Sequence, residues 1–329
     1  MIHCASWLPG GHVQTIWGAK LARTHLGPLP ALHRERWTTP DGDWIEVDIQ
    51  HTHGHGRPHV VLFHGLEGSS HSHYGKAFRR WAAQAQVHLW LPHFRGCSGQ
   101  DNHLARAYHS GDHQEIDWIL GCIAQRTPGA DRVAAGVSLG GNALMLWAGL
   151  QGAKAAEKIS AVASISSPLD LMGSGLALGR GLNRWLYTPM FLKTMKAKAA
   201  HKAQRFPGAF DGQAALRAKD LYAFDDAFTA PLHGFDGVRD YWTRASAKPH
   251  MHRISVPALV LNACNDPFVP APTLPAASEV SSHVTLWQPR QGGHVGFVQG
   301  HFPGQVWGMA HEVGQWLLHA AAHKEQAHG

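Results

Sequence analysis

Charge is scarce in this chain. Asp, Glu, Lys and Arg together make up only 16% of its 329 residues. Disorder does not follow, because hydrophobic residues reach 44%, enough to bury a sizeable core. Cysteine is scarce as well. Cys4, Cys97, Cys122 and Cys264 lie far apart and form no C-x-x-C pair, which points to reduced thiols and a cytoplasmic protein. No stretch reaches the ~18 uninterrupted apolar residues of a membrane span. Met1 to Pro9 lack the charged-then-apolar pattern of a secretory leader. The formal charge is +6, but the basic residues are scattered apart from the run Lys193 to Lys198. That run reads as a solvated helix face and the net charge as a mild surface bias. Without a dense basic stripe or a recognised module, nucleic-acid binding is not expected. Histidine is plentiful, at 27, and His51, His53, His55 and His59 form a His/Gly tract. Such a tract can bind a soft metal adventitiously. A functional site needs converging ligands, so neither a metal nor another cofactor is expected. There is no internal repeat and no long linker.

What is present alternates. Glu35–Thr39 and Asp43–Ile49 read as strands, and the Pro40-Asp41-Gly42 turn between them predicts a hairpin. The apolar runs His59–Phe63 and Val87–Pro92 suit strands covered on both faces. Helical patterns follow at Tyr74–Ala85 and Tyr108–Arg126. Further strands are expected at Arg132–Ala135, Ile159–Ser166, Val256–Asn262 and Val284–Trp287, and a final helix at Val306–Ala321. Buried strands alternating with helices predict an α/β fold with a mainly parallel sheet. Trp7–Pro30, punctuated by Gly and Pro, reads as a packing arm. From about Leu169 to His252 the buried-strand signal stops and small helices rich in Lys and aromatics take over. This segment is expected to be an insertion lying over the strand ends, where active sites sit in open α/β sheets.

One stretch organises the rest. Gly136-Val137-Ser138-Leu139-Gly140-Gly141 follows an apolar run and precedes the helix-like Asn142–Ala148. Strand, G-x-S-x-G, helix is the context of a nucleophile elbow. A serine at the tip of so tight a turn takes an unfavourable backbone angle, and its neighbours two residues away must lack side chains. Its hydroxyl then stands above a helix N-terminus, where the dipole and free amides favour negative charge. The hexapeptide alone also fits a small-residue turn with an incidental serine. Its downstream context favours the elbow. A serine hydroxyl needs a base within reach, and the base needs an orienting carboxylate. Asp266 follows one predicted strand and His294 lies in a Gly-rich loop after the next, giving the order Ser, acid, His. The expected catalytic set is therefore Ser138, Asp266 and His294. Acyl transfer also needs oxyanion donors. The backbone N–H of Leu139, next to the serine, can supply one. That of Leu66, in the loop His64-Gly65-Leu66-Glu67-Gly68, can supply the other. His64 reads either as a brace for that loop or as a buried, hydrogen-bonded histidine, and Glu67 as a loop anchor or a solvated charge.

Beyond these residues stand Gly11-His12-Val13-Gln14-Thr15-Ile16, His93-Phe94-Arg95-Gly96-Cys97-Ser98-Gly99, Tyr108-His109-Ser110-Gly111 and Thr229-Ala230-Pro231-Leu232-His233-Gly234-Phe235. Together with the elbow (Gly136 to Asn142), His64 to Ser69, Asn262 to Phe268 and Gly293-His294, they resemble the YheT-type branch of the α/β-hydrolase superfamily, also called the AB hydrolase 4 family. The resemblance spans nearly the whole chain. It implies the α/β-hydrolase fold, with a mostly parallel central sheet flanked by helices and a helical lid insertion. It also implies a serine carboxylic-ester hydrolase whose relatives include esterases, lipases of the monoacylglycerol or phospholipid kind, and medium-chain ester synthases. Carried over by position, the triad is again Ser138, Asp266 and His294. The family often has paired Asp where this chain has Asn265-Asp266. Asp266 keeps the role because Val269-Pro270 follows at the usual spacing.

The expected organisation is core at 1–168, lid at 169–252 and core again at 253–329. Trp185, Leu186, Phe191, Tyr222, Phe224 and Phe228 are expected either to line an acyl pocket or to form the ordinary core of the lid. Arg95, Tyr108, His109 and Asp112 lie on loops that could reach the pocket, and bracing is their expected role ahead of contact with a substrate. The expected partner is a small ester, including lipid-derived ones, of short to medium chain length. Two other readings are an acyltransferase using the same triad and a non-catalytic α/β-hydrolase-like binding protein.

Overall fold

The structure, a computed structural model, describes residues 2–54 and 56–326. His55 of the histidine tract lies outside the described residues. The chain opens with α1 (Gly11–Lys20), followed by strands β1 (His33–Thr38), β2 (Trp44–Gln50) and β3 (His59–Phe63). Helix α2 (His73–Ala85), β4 (His88–Pro92), α3 (His113–Arg126), β5 (Arg132–Val137), α4 (Leu139–Gln151) and β6 (Ala161–Ile165) then alternate. A run of helices comes next: α5 (Leu171–Leu178), α6 (Gly181–Leu186), α7 (Thr188–Arg205), α8 (Gly212–Arg217), α9 (Leu221–Phe224), α10 (Ala230–Leu232) and α11 (Val238–Arg244). The chain returns to the sheet with β7 (Ala258–Leu261) and β8 (Val284–Trp287) and closes on α12 (Trp307–Gln326).

The eight strands form one sheet in the order β1-β2-β4-β3-β5-β6-β7-β8. The pairings β1–β2 and β2–β4 are antiparallel and the other five are parallel. The hairpin register, Thr38 opposite Trp44, is the one the Pro40-Asp41-Gly42 turn requires. Alternate residues of each inner strand feed two cores. Val60, Leu62 and Leu89 pack with Phe78 and Trp81 of α2 and Met309 and Val313 of α12. On the opposite face Val61, Phe63 and Trp90 pack with Ile116 and Leu120 of α3 and Leu144 and Trp147 of α4. Burial on both faces explains why these strands carry continuous apolar runs. Among the described residues no helix is long and apolar enough to cross a membrane.

Two expectations change. The Trp7–Pro30 arm contains a helix, α1, in which Trp17 packs on the core but the aliphatic Val13 and Ile16 do not face inward. Gln14, Thr15 and Gly18 are buried, while Val13 and Ile16 are exposed. The helix expected from Tyr108 begins only at His113. Gly111 lies so close to Ala245 that a Cβ would overlap it, and the Asp112 carboxylate accepts from Arg106 Nη2 at 2.6 Å. Residues 108–112 are thereby held as a loop.

Gly18 and Gly121 are both helical glycines with opposite surroundings. A Cβ on Gly18 would lie 2.7 Å from the Gly296 Cα, whereas one on Gly121 in α3 would meet only the flexible end of Lys158 at 3.7 Å. Gly121→Ala is expected to stabilise the fold by about 0.5–1 kcal/mol through helix propensity. Gly18→Ala is expected to destabilise it by about 1–3 kcal/mol through overpacking. Urea denaturation of the two variants against wild type reads both signs.

Burial also pushes His64 and His109 down to about 3 and His59 and His73 down to about 4. In the unfolded chain each titrates near about 6.5. The folded state therefore binds fewer protons, and this stability is present above about pH 6.5 and lost as pH falls toward 4 and below. Burial pushes Asp225 up to about 6 and Glu115 up to about 7. These two act in the opposite sense, but the four histidines outnumber them. The urea midpoint is expected to fall steadily from pH 7 to pH 5; a flat or rising profile would mean that the buried histidines do not outweigh Asp225 and Glu115.

Candidate active site

Five strand ends converge on Ser138. β5 delivers it, and its backbone turns into α4 at φ 53°, ψ −120°. That is left-handed territory which a non-glycine residue enters only when its surroundings enforce it. Here they do. A Cβ on Gly136 would lie 2.5 Å from Gly140 O, one on Gly140 would overlap His64 O, and one on Gly141 would overlap Ser167 Oγ. Ser138 N donates to Ile165 O at 2.8 Å, and Ser138 O accepts from Gly141 N and Asn142 N.

The loop after β7 carries Asp266, and the loop after β8 carries His294. The structure brings all three predicted side chains together. Asp266 accepts at 2.9 Å from the Nδ1–H of His294; a carboxylate acceptor on Nδ1 fixes the tautomer. Nε2 is left to accept from the Ser138 hydroxyl at 3.0 Å. Asp266 is itself held by Phe268 N at 2.8 Å and Val269 N at 3.2 Å. Its side chain is wholly buried, and that of His294 is only 11% exposed. The Phe268 ring covers the imidazole at 4.2 Å between centroids.

Leu66 and Leu139 both border the cavity beside Ser138. The β3 loop passes so close that a Cβ on Gly65 would lie 3.1 Å from Ser138 Cβ. Gly65 N donates to Tyr74 Oη and Glu67 N to Tyr108 Oη. Among the described residues, the intervening Leu66 N–H and the Leu139 N–H have no protein acceptor. His64 is a buried brace. Its Nδ1–H donates to Gly65 O at 2.7 Å and its Nε2 accepts from Phe94 N at 3.0 Å. Glu67 is an anchor, accepting from Tyr108 Oη at 2.8 Å and Lys198 Nζ at 2.7 Å.

Several positions carry more than sequence reasoning assigned them. Thr15 Oγ1 in α1 accepts from His294 N at 2.8 Å. Gln14 Oε1 accepts from Asn265 Nδ2 and Gly292 N, both at 2.9 Å. Asn265 Oδ1 in turn accepts from Gly293 N at 3.0 Å. The packing arm is thus a clamp across both loops, and Asn265, where the family often has Asp, is the donor that joins them. Ser166, at φ 49°, accepts from Val295 N at 3.0 Å. His73 Nε2–H donates to Val295 O at 3.0 Å. Asn142 Nδ2 donates to Ser110 O and Ala245 O, tying α4 to the Tyr108–Gly111 loop and to the end of α11. The motif resemblance flagged these segments, but their roles depend on contacts between distant parts of the chain.

A cavity bordered largely by apolar side chains opens on Ser138 and His294 beneath α5 to α11. Phe191, Phe224 and Phe228 border it as expected. Trp185, Leu186 and Tyr222 do not: Trp185 is 78% exposed and the other two also face solvent. Leu178, Met195 and Trp242 take their places. Arg95, Tyr108 and His109 also reach its wall. Arg95 braces from beneath, with Nε donating to Glu115 at 2.7 Å and Nη1 to Asp41 at 2.8 Å and Asp43 at 3.1 Å. Burial pulls Lys202, at the polar end of the cavity, down to about 8. Among the described residues no group of three or more His, Cys, Asp or Glu side chains could hold a metal ion.

Comparison with known proteins agrees with this architecture. The sequence pattern of the alpha/beta hydrolase fold matches residues 58–301. The Escherichia coli (strain K12) protein named "Putative esterase YheT" is 34% identical over 317 residues, spanning 93% of this chain and 89% of its own. Human phospholipase ABHD3 is 27% identical over 307 residues, 88% of this chain and 74% of its own. The solved structure of the Pyrococcus furiosus esterase Pf2001 superposes with a TM-score of 0.55 at 17% identity, covering 88% of this chain and 91% of that one. The eight-stranded sheet, the match over residues 58–301 and the YheT relationship together make this chain a hydrolase of the α/β-hydrolase fold family, on its YheT-type branch.

Proposed function

We propose that this enzyme is a serine carboxylic-ester hydrolase of the esterase/lipase type. One observation carries the reading: His294 bridges Ser138 at 3.0 Å and Asp266 at 2.9 Å. The names of its relatives, esterase and phospholipase, agree with it. His294 Nε2 accepts the Ser138 proton as Oγ attacks the ester carbonyl, and Asp266 stabilises the imidazolium. The oxyanion that forms is met by the Leu66 and Leu139 amides and the N-terminus of α4. The imidazolium then protonates the departing alcohol, leaving an acyl group on Ser138. Water, deprotonated by His294, attacks this acyl-enzyme; the acyl–Oγ bond breaks, His294 returns the proton to Ser138 Oγ, and the acid is released. Residues 169–252 act as the lid over a core formed by 1–168 and 253–329. The apolar wall of Phe191, Phe224, Phe228 and Met195 receives a short to medium acyl chain. The substrate is a small ester, including lipid-derived ones. The four free thiols agree with a cytoplasmic setting.

Turnover of a chain-length series of p-nitrophenyl esters, with fluorophosphonate labelling in parallel, tests the reading. Wild type is expected to hydrolyse and to be labelled. Ser138→Ala is expected to lose labelling and at least about 10⁴-fold in kcat. Folded wild-type protein that is neither labelled nor active would overturn the proposal in favour of a binding protein. Added alcohol that diverted most of the acyl group into new ester would make it an acyltransferase.

Thr15 is proposed as a positioning residue for His294. Thr15→Val keeps the shape but removes the acceptor for the His294 N–H. It is expected to lower kcat roughly tenfold to a hundredfold at nearly unchanged KM, and to lower stability by about 1–3 kcal/mol through the unpaired N–H, so activity is compared well below the thermal midpoint. Equal kcat values for variant and wild type would show that the histidine loop holds its own geometry.

A further inference from the structure

Helix α6 is built inside out. Asn183 points inward, its Nδ2 donating to Ala177 O and Pro267 O, and Tyr187 just beyond the helix is buried. Leu182, Trp185 and Leu186 occupy one face at helical spacing and point into solvent, exposed by 61%, 78% and 47%. Met190, in the first turn of α7, adds to them at 50%. Buried polar anchors fix this orientation, so the apolar face is held outward.

Helix α1 repeats the inversion. Its buried side is the polar clamp on the Asp266 and His294 loops, and Val13 and Ile16 are exposed. The two helices meet where His12 stacks on Tyr187, with Nδ1 and Oη 3.2 Å apart. A free-standing soluble protein gains nothing by exposing a tryptophan and several aliphatic side chains on adjoining helices; such patches mark interaction surfaces.

Charge identifies the partner. Residues 171–210 contain no Asp or Glu and seven Lys or Arg, and the first acidic residue of the whole chain is Glu35. Arg180, Arg184 and Lys193 surround the α6 face and are exposed, as is Lys20 at the end of α1. An apolar face flanked by the exposed Arg180, Arg184 and Lys193 matches an anionic lipid surface, where apolar side chains enter the acyl boundary and Lys and Arg meet headgroups. It does not match a second copy of itself, which would set rim against rim with like charges.

We propose that the outward faces of α1, α6 and the first turn of α7 form a docking surface for anionic lipid bilayers. Its position gives docking a use. Tyr187 packs on Phe268 at 4.5 Å between centroids, and Phe268 covers His294. Phe191 and Met195, further along α7, border the cavity. The helix that meets the bilayer on its outer side therefore walls the cavity on its inner side. Docking is a property of the folded surface and does not depend on the ester-hydrolysis reading.

The test is flotation of the full chain with vesicles of phosphatidylcholine alone and of phosphatidylcholine mixed with phosphatidylglycerol. Wild type is expected to float with the anionic vesicles, weakly with the neutral ones, and to be released by added salt. The double variant Leu182→Ser, Trp185→Ser is expected to bind at least roughly tenfold more weakly, with an unchanged thermal midpoint and unchanged turnover of a soluble short-chain ester. Arg180→Gln with Arg184→Gln is expected to weaken binding and flatten its salt dependence. Wild type that fails to float with anionic vesicles would overturn the proposal, as would a Leu182, Trp185 variant that floats as well as wild type. Light scattering showing a dimer that this variant dissociates would overturn it in favour of self-association. Because flotation needs no catalysis, an inactive protein that still binds would count against the esterase reading alone.

Discussion

Everything at this site depends on one uncomfortable backbone angle. Ser138 sits at φ 53°, a conformation that costs a non-glycine residue about 1–3 kcal/mol. The surroundings leave the chain no easier path. The β3 loop presses on Gly140, α4 presses back on Gly136, and Ser167 fills the space over Gly141. The reward is placement. The hydroxyl stands clear of β5, at the N-terminus of a helix, beside the Leu66 and Leu139 amides, which have no protein acceptor among the described residues. The same strain makes the site intolerant of side chains at those glycines, which is why the signature is so legible.

The second constraint is that His294 and Asp266 arrive on separate loops from separate strands. They are set by a polar layer contributed from elsewhere: Thr15 and Gln14 from α1, His73 from α2, and Ser166 from the end of β6. A parallel arrangement on the entry side ties the β3 loop to Tyr74 and Tyr108. Arg95 ties the β4 loop to Asp41, Asp43 and Glu115. Most of these partners are buried, so each hydrogen bond is made against the cost of leaving a polar group unpaired. That favours one arrangement over its near neighbours. It suits a site whose chemistry depends on distances near 3 Å.

Reading the sequence recovered what is periodic and local. The inner strands were legible because burial on two faces leaves continuous apolar runs, and the β1–β2 hairpin because its turn has its own chemistry. The elbow, Asp266 and His294 were legible through residue type, chain order and position at strand ends. What escaped is what depends on distant partners. Helix α1 is hidden because its inward side is Gln14, Thr15 and Gly18, the reverse of an ordinary amphipathic helix. The start of α3 was misplaced because Ala245, far along the chain, forces Gly111 out of helix. Among the candidate cavity residues Phe191, Phe224 and Phe228 were right and Trp185, Leu186 and Tyr222 were not. Aromatic composition shows that a helical segment has apolar surface, but not which side of each short helix turns inward.

The clamp made by α1 also sets a schedule for biosynthesis. Its bonds to Asn265, Gly292 and His294 join residues 251, 278 and 279 positions apart. A ribosome releases α1 early, yet its partners lie in the loops after β7 and β8, which emerge only after helices α5 to α11 have been made. Until then Thr15 and Gln14 have nothing to hold. The turn at Ser138 can be complete on a tethered chain while His294 is still unmade. On the proposed triad, the reactive geometry therefore forms late, when α1 meets the loops after β7 and β8.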